Sequence, residues 1–167
     1  MKIRTNSIMT RTLEKRKHNF VKEKVTLPTE LNKLIDSGFR KEQDCILFKD
    51  FEYFGPGPLD SDFKKTEYED FLNHIHVDDY LTDVSDEFEY LKVGLEFSKR
   101  LNEGLKHNFE TGFRIAVSYS ETTYEGEEID TYGSCVVRFY MIRPSCDDKF
   151  RIDDLDEFKT EGVLVIE

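Results

Sequence analysis

The sequence contains no tryptophan, three cysteines, four prolines and no long apolar run. Each scarcity excludes something. No stretch approaches the roughly 18 apolar residues that a membrane-crossing helix needs. The N-terminus is charged but lacks the apolar segment of a secretory signal. The cysteines, Cys45, Cys135 and Cys146, are odd in number, widely spaced and without a CxxC pair. That pattern supports neither a disulfide framework nor a zinc site, and it predicts reduced thiols in a cytoplasmic protein. Proline and glycine cluster only at Gly55-Pro56-Gly57-Pro58. This run stops a preceding strand but is too short to link two domains.

Enough remains to build one core. A chain of 167 residues fits a single domain that buries roughly two-thirds of its extended surface. Apolar residues make up 38% and charged residues 35%, yet aromatics reach 13%, more than a disordered chain carries. Fourteen Phe and eight Tyr predict a core built largely on Phe.

Charge is unevenly placed. Residues 1–24 hold eight Lys or Arg against two Glu, whereas residues 25–167 hold sixteen against thirty-three Asp or Glu. The chain therefore divides into a basic N-terminal arm (1–24), either flexible or docked as a surface helix over Thr12–Lys24, and an acidic body (25–167). Met9 is a second candidate start, which would make Met1–Ile8 a start-site artefact. An acidic body disfavours nucleic acid and anionic membrane and favours basic proteins or cations.

Periodicity assigns the elements. Pro28, Glu30, Leu31, Leu34, Ile35 and Gly38 mark a helix from its first turn to its cap. Asp44 to Phe54 is rich in strand formers. Thr66 and Glu69 have capping-box spacing, which predicts a helix after Thr66 with Phe71, Leu72 and Ile75 inward. Helical spacing through Phe88, Leu91, Leu95, Leu101 and Leu105 predicts a helix over about 86–107, with Gly94 and Gly104 each costing roughly 1 kcal/mol relative to Ala. Alternation along Phe113–Tyr119 and Cys135–Met141 predicts a long antiparallel hairpin, about 112–143. A helical turn near Leu155–Phe158 and a strand at Val163–Ile166 follow. Mixed helices and strands without regular β-α alternation indicate an α+β domain: an antiparallel sheet centred on the hairpin and packed against two or three helices.

Chemical motifs are sparse. No GxSxG, P-loop or GxGxxG is present, and nothing joins Ser, His and Asp into a triad. Cys135 with His107 or His76 would make a thiol–base pair, but its place in a strand predicts a buried, inert thiol. His74-Ile75-His76-Val77-Asp78-Asp79 resembles the HxHxD opening of metallo-β-lactamase-like hydrolases. That resemblance implies a hydrolase whose zinc is held by His74, His76 and Asp78 and activates a water. In that family a His follows the Asp, where this chain has Asp79, and the only later histidine is His107. At the end of a predicted helix, moreover, residues two apart face different sides.

Two acidic stretches suit an interface. Asp78, Asp79, Asp83, Asp86, Glu87 and Glu89 form the first. Asp78 to Glu89 has the twelve-residue span of an EF-hand loop, but its sixth position is Asp83 rather than Gly and its third is Tyr80. The second is Glu121 to Asp130, where Glu125, Glu127 and Glu128 lie between Tyr124 and Tyr132. Tyr among carboxylates brings contact area at low entropy cost. Small acidic α+β proteins without a catalytic set resemble bacterial immunity proteins in general character. That resemblance implies an inhibitor that binds a basic partner, such as a toxin nuclease, and uses no cofactor. Contact would run through Asp78, Asp79, Asp83, Asp86, Glu87, Tyr124, Glu125, Glu127, Glu128 and Tyr132. Self-association, with the basic arm of one copy on the acidic body of another, is a third reading.

Overall fold

The computed structural model describes the chain apart from residues 20, 21, 23, 53, 54, 56, 83 and 146–151. Phe20, Val21, Asp83 and Cys146 therefore lie outside the described residues. The elements in chain order are β1 (Ile3–Thr5), α1 (Ser7–Lys15), α2 (Thr29–Ser37), β2 (Phe39–Glu42), β3 (Cys45–Phe48), α3 (Asp62–Leu72), β4 (His74–His76), a 3₁₀ turn (Val77–Tyr80), α4 (Phe88–Asn108), β5 (Phe113–Ser120), β6 (Thr123–Glu125), β7 (Glu128–Thr131), β8 (Ser134–Met141), a 3₁₀ turn (Leu155–Glu157) and β9 (Gly162–Ile166). The main sheet has the order β1-β9-β5-β8-β4 and is antiparallel throughout. This is an α+β domain centred on the β5–β8 hairpin. No helix among the described residues is long and apolar enough to cross a membrane.

Strand alternation divides the sheet into two faces. Ile115, Val117, Val137, Phe139, Leu164 and Ile166 point inward and meet Leu91, Leu95, Phe97, Leu101 and Leu105 of α4 in one buried cluster. Phe dominates it. Phe48 lies edge-to-face on Phe139 with centroids 5.1 Å apart, and Phe97 sits 6.2 Å from Phe48. Burying each such ring stabilises the fold by roughly 2–3 kcal/mol.

Several boundaries differ from the sequence reading. Residues 3–5 form an edge strand on β9, and α1 starts at Ser7, where Asn6 caps it by accepting from the Met9 amide at 2.8 Å. Asn6 is buried; its Oδ1 also accepts from Val163 N, and its amide nitrogen donates to Glu161 O and Phe158 O. Met9 is fully buried. The segment read as one strand begins with a hairpin, because Gln43 and Asp44 both adopt positive φ (47° and 64°) and turn β2 into β3.

The capping box is absent. Ser61 caps α3, accepting from the Lys64 amide, so Thr66 and Glu69 lie within the helix, and both are buried. Phe71 is exposed rather than inward, and Ile75 is buried on β4.

Glu69 is instead the centre of a buried lock. Its Oε1 accepts from Ile46 N (2.7 Å) and Arg143 Nη2 (3.0 Å), and its Oε2 from Met141 N (2.9 Å) and Arg143 Nη1 (2.6 Å). Arg143 also donates to Thr66 Oγ1 and to the Asp44 carbonyl. One helical turn on, Asn73 accepts from Phe48 N and donates to the carbonyls of Ile46 and Phe139. β4 pairs with only residues 136–138 of β8. Beyond it, the Glu69 and Asn73 side chains take the place of a strand and bridge β8 to β3.

Candidate functional site

Beyond the Ser120–Ser134 pair the hairpin leaves the sheet and continues as a separate two-stranded ribbon, β6 with β7. Gly126, at φ +65°, turns its tip. Tyr124 lies opposite Ile129, so these two share a face. Tyr124 is 65% exposed, Ile129 41% and Tyr132 73%. Glu125 lies opposite Glu128. Like charges in register destabilise a hairpin. The ribbon thus presents apolar area together with the Glu125, Glu127 and Glu128 carboxylates, which form no ion pair among the described residues, and intrachain packing does not require this combination.

The first acidic stretch meets the base of this ribbon. Glu87 Oε2 accepts from the Thr122 amide at 2.7 Å, and the Thr122 hydroxyl donates to Glu87 Oε1. Thr122 Oγ1 in turn accepts from Gly133 N at 2.9 Å. A side chain at position 133 would run into the Glu87 carboxylate, so glycine allows this close approach. Asp86 takes both ends of the Arg16 guanidinium at 2.9 and 3.1 Å, and Arg16 also reaches Glu121 at 3.4 Å. Asp86 additionally accepts from Phe88 N at the start of α4. Asp78 accepts from Cys135 N at 3.1 Å.

The predicted contact residues therefore separate into two groups. Asp78, Asp86 and Glu87 bond to the fold and seat the ribbon. Tyr124, Glu125, Glu127, Glu128 and Tyr132 are presented to solvent, and Asp79 is exposed on the 3₁₀ turn. Sequence reasoning missed Ile129, whose signal was a lone apolar residue inside Glu128-Ile129-Asp130. It also missed the contribution of Arg16 and Thr122, for which the sequence offers no local sign.

The histidines lie on a strand, not at a helix end. Residues two apart on a strand share a face, and the rings of His74 and His76 stack with centroids 4.8 Å apart. Burial, with Arg138 and then His76 adding to it, pushes the His74 imidazole down to about 4. Asp78 is on the following turn, engaged with Cys135. Among the described residues, no group of three or more His, Cys, Asp or Glu is placed to hold a metal ion. The Cys135 thiol is fully buried in the core, which raises it far above its ordinary range, with Asp78 adding to the effect. Burial likewise pushes Cys45 up to about 12. Neither is a nucleophile at neutral pH.

Comparison with curated proteins gives no match, nor does comparison with solved structures. A family model does match, over residues 4–167, and the chain belongs to the Uncharacterized protein PM0498 family.

Proposed function

We propose that this chain is a cytoplasmic protein-binding domain of the inhibitor or immunity type, which uses its acidic ribbon to cover a basic site on a partner such as a toxin nuclease. The observation that carries the reading is the ribbon: Tyr124, Ile129 and Tyr132 exposed among Glu125, Glu127, Glu128 and Asp130. Aromatic side chains in such a setting supply the desolvated anchors of an interface, and the surrounding carboxylates supply orientation. The charge excess of residues 25–167 extends this over the whole body and raises the rate of encounter with a cation. Binding would place the ribbon in the partner's substrate cleft. Self-association through residues 1–24 has less to work with, because Arg16 already neutralises Asp86 and Glu121 of its own chain.

The test is purification from the native cells at low and high salt, with wild type beside a Tyr124→Ala/Ile129→Ala/Tyr132→Ala variant, read by native mass spectrometry. The expected result is a 1:1 complex with a basic protein. It should weaken about tenfold or more at high salt, be absent for the variant, and suppress any nuclease activity of the partner. An equal yield of the same complex from the variant would remove the ribbon from the interface. A chain that stays free under both conditions would remove the reading itself.

A further inference from the structure

Register sorts the side chains of the ribbon into two sets. Side chains alternate between the faces of a strand, so Tyr124 and Glu125 point to opposite sides of β6, and Ile129 and Glu128 to opposite sides of β7. Cross-strand pairing sets Tyr124 with Ile129 on one face and Glu125 with Glu128 on the other. The ribbon is therefore a thin blade with an apolar face and an acidic face, and Glu127 adds a carboxylate at the turn. Asp130 falls at the register shift and accepts from the Thr123 and Thr131 hydroxyls, so it belongs to neither set. Among the described residues no third strand pairs with β6 or β7, and all four paired side chains are exposed.

Two opposed faces set the shape of what they fit. A flat basic surface meets only one of them: it neutralises Glu125 and Glu128 and leaves Tyr124 and Ile129 in water, or the reverse. A cleft with one basic wall and one apolar wall meets both. Channels for single-stranded nucleic acid are built in this way, because cations track the phosphates while aromatic side chains stack on the bases. A duplex stacks its bases inside and turns phosphates outward on both strands, so a site shaped for it has no apolar wall for Tyr124 and Ile129. The blade is also held at its base, where Glu87 accepts from the Thr122 amide and Thr122 Oγ1 from Gly133 N. A ribbon fixed in this way loses little conformational freedom on entering a cleft.

We propose that the ribbon imitates a single nucleic-acid strand, with Glu125 and Glu128 standing for phosphates and Tyr124 and Ile129 for bases. Given the reading above, that the ribbon enters a basic site on a partner, that partner is a protein with a single-strand channel. The test uses the native complex with the unaltered chain. Short oligonucleotides of one mixed sequence, with phosphorothioate linkages to resist cleavage, are added as single-stranded DNA, single-stranded RNA and duplex DNA. Displacement of the chain is read by fluorescence anisotropy. At least one single strand should displace it at a concentration about tenfold or more below that of the duplex. Stopped-flow kinetics then separates the faces. Glu125→Gln/Glu128→Gln should slow association about tenfold at low salt and leave dissociation within about twofold, whereas Tyr124→Ala/Ile129→Ala should speed dissociation about tenfold or more and leave association within about twofold. A complex that neither single strand displaces, or that the duplex displaces equally well, would overturn the proposal and leave the reading above intact. So would two variants that change the same rate constant. Absence of any complex would remove both.

Discussion

At the scale of single residues, the side chains that matter most to the fold are polar and buried. Glu69 has no exposed surface and accepts from two backbone amides and both terminal nitrogens of Arg143. Removing one partner of such a pair strands the other charge, so Glu69→Gln should cost about 3–5 kcal/mol in urea unfolding. Replacing Glu69 and Arg143 together by methionine should cost less than the two single changes added. Asn73→Ala removes the side-chain partner of one amide and two carbonyls, and should lower stability by about 3 kcal/mol. His74 gives a pH signature. Its folded value lies near 4, below the ordinary 6.5, so the unfolded chain binds the proton more readily. Stability is therefore complete above about pH 6.5 and falls as pH drops toward 4, by on the order of 2 kcal/mol after allowing for partial exposure. His74→Gln should flatten the urea midpoint between pH 7 and 5. None of these roles was legible in the sequence. A glutamate three residues after a threonine satisfies the capping-box pattern whether the helix begins there or a turn earlier, and only the position of β8 reveals why Glu69 is buried.

At the scale of elements, periodicity was a good guide where an element has one wet side and a poor one where it is short. The long alternations of β5 and β8 and the helical spacing of α4 name their partners and faces almost residue by residue. β4 has only three residues, too few for any period to show, and its neighbours Phe71 and Leu72 extend an apparent helical stripe across it. β1 is equally short and sits among basic residues, so charge hid it. Glycine in α4 shows how packing reverses a local preference. Propensity alone says that Gly94→Ala should gain about 0.8 kcal/mol. A methyl there would run into the Cys135 sulfur, which is fully buried and has little room to retreat. Overpacking of this kind costs about 1–3 kcal/mol, so Gly94→Ala should lower the melting temperature, and adding Cys135→Ala should restore part of the loss.

At the scale of the whole molecule, charge and shape act together. The sequence shows two acidic stretches some forty residues apart, without a hint that they touch. Folding brings them to the two ends of one ribbon, the first seating its base and the second forming its tip. Glu87 is the joint between them. Glu87→Ala removes the acceptor for Thr122 and should loosen the ribbon while leaving the core intact. Hydrogen exchange at residues 123–131 should then quicken about tenfold or more, with β5 and α4 unchanged. A uniform rise across the chain would mean that Glu87 supports global stability rather than the ribbon.

The pairing of β1 with β9 has a topological consequence. Lys2 and Glu167 exchange backbone hydrogen bonds in both directions, at 2.7 and 2.8 Å. Residues 2 and 167 are thus neighbours across the β1–β9 pair, beside Arg114, at the end of β5 remote from Ser120 and the ribbon. A short link from 167 to 2 would join β9 to β1 without disturbing a strand. A circular permutant reopened at Gly126 would keep every main-sheet pairing while cutting only the ribbon's turn. The architecture therefore permits the turn between Tyr124 and Ile129 to be opened by rewiring alone, which tests whether the ribbon needs its tip while every main-sheet strand stays whole.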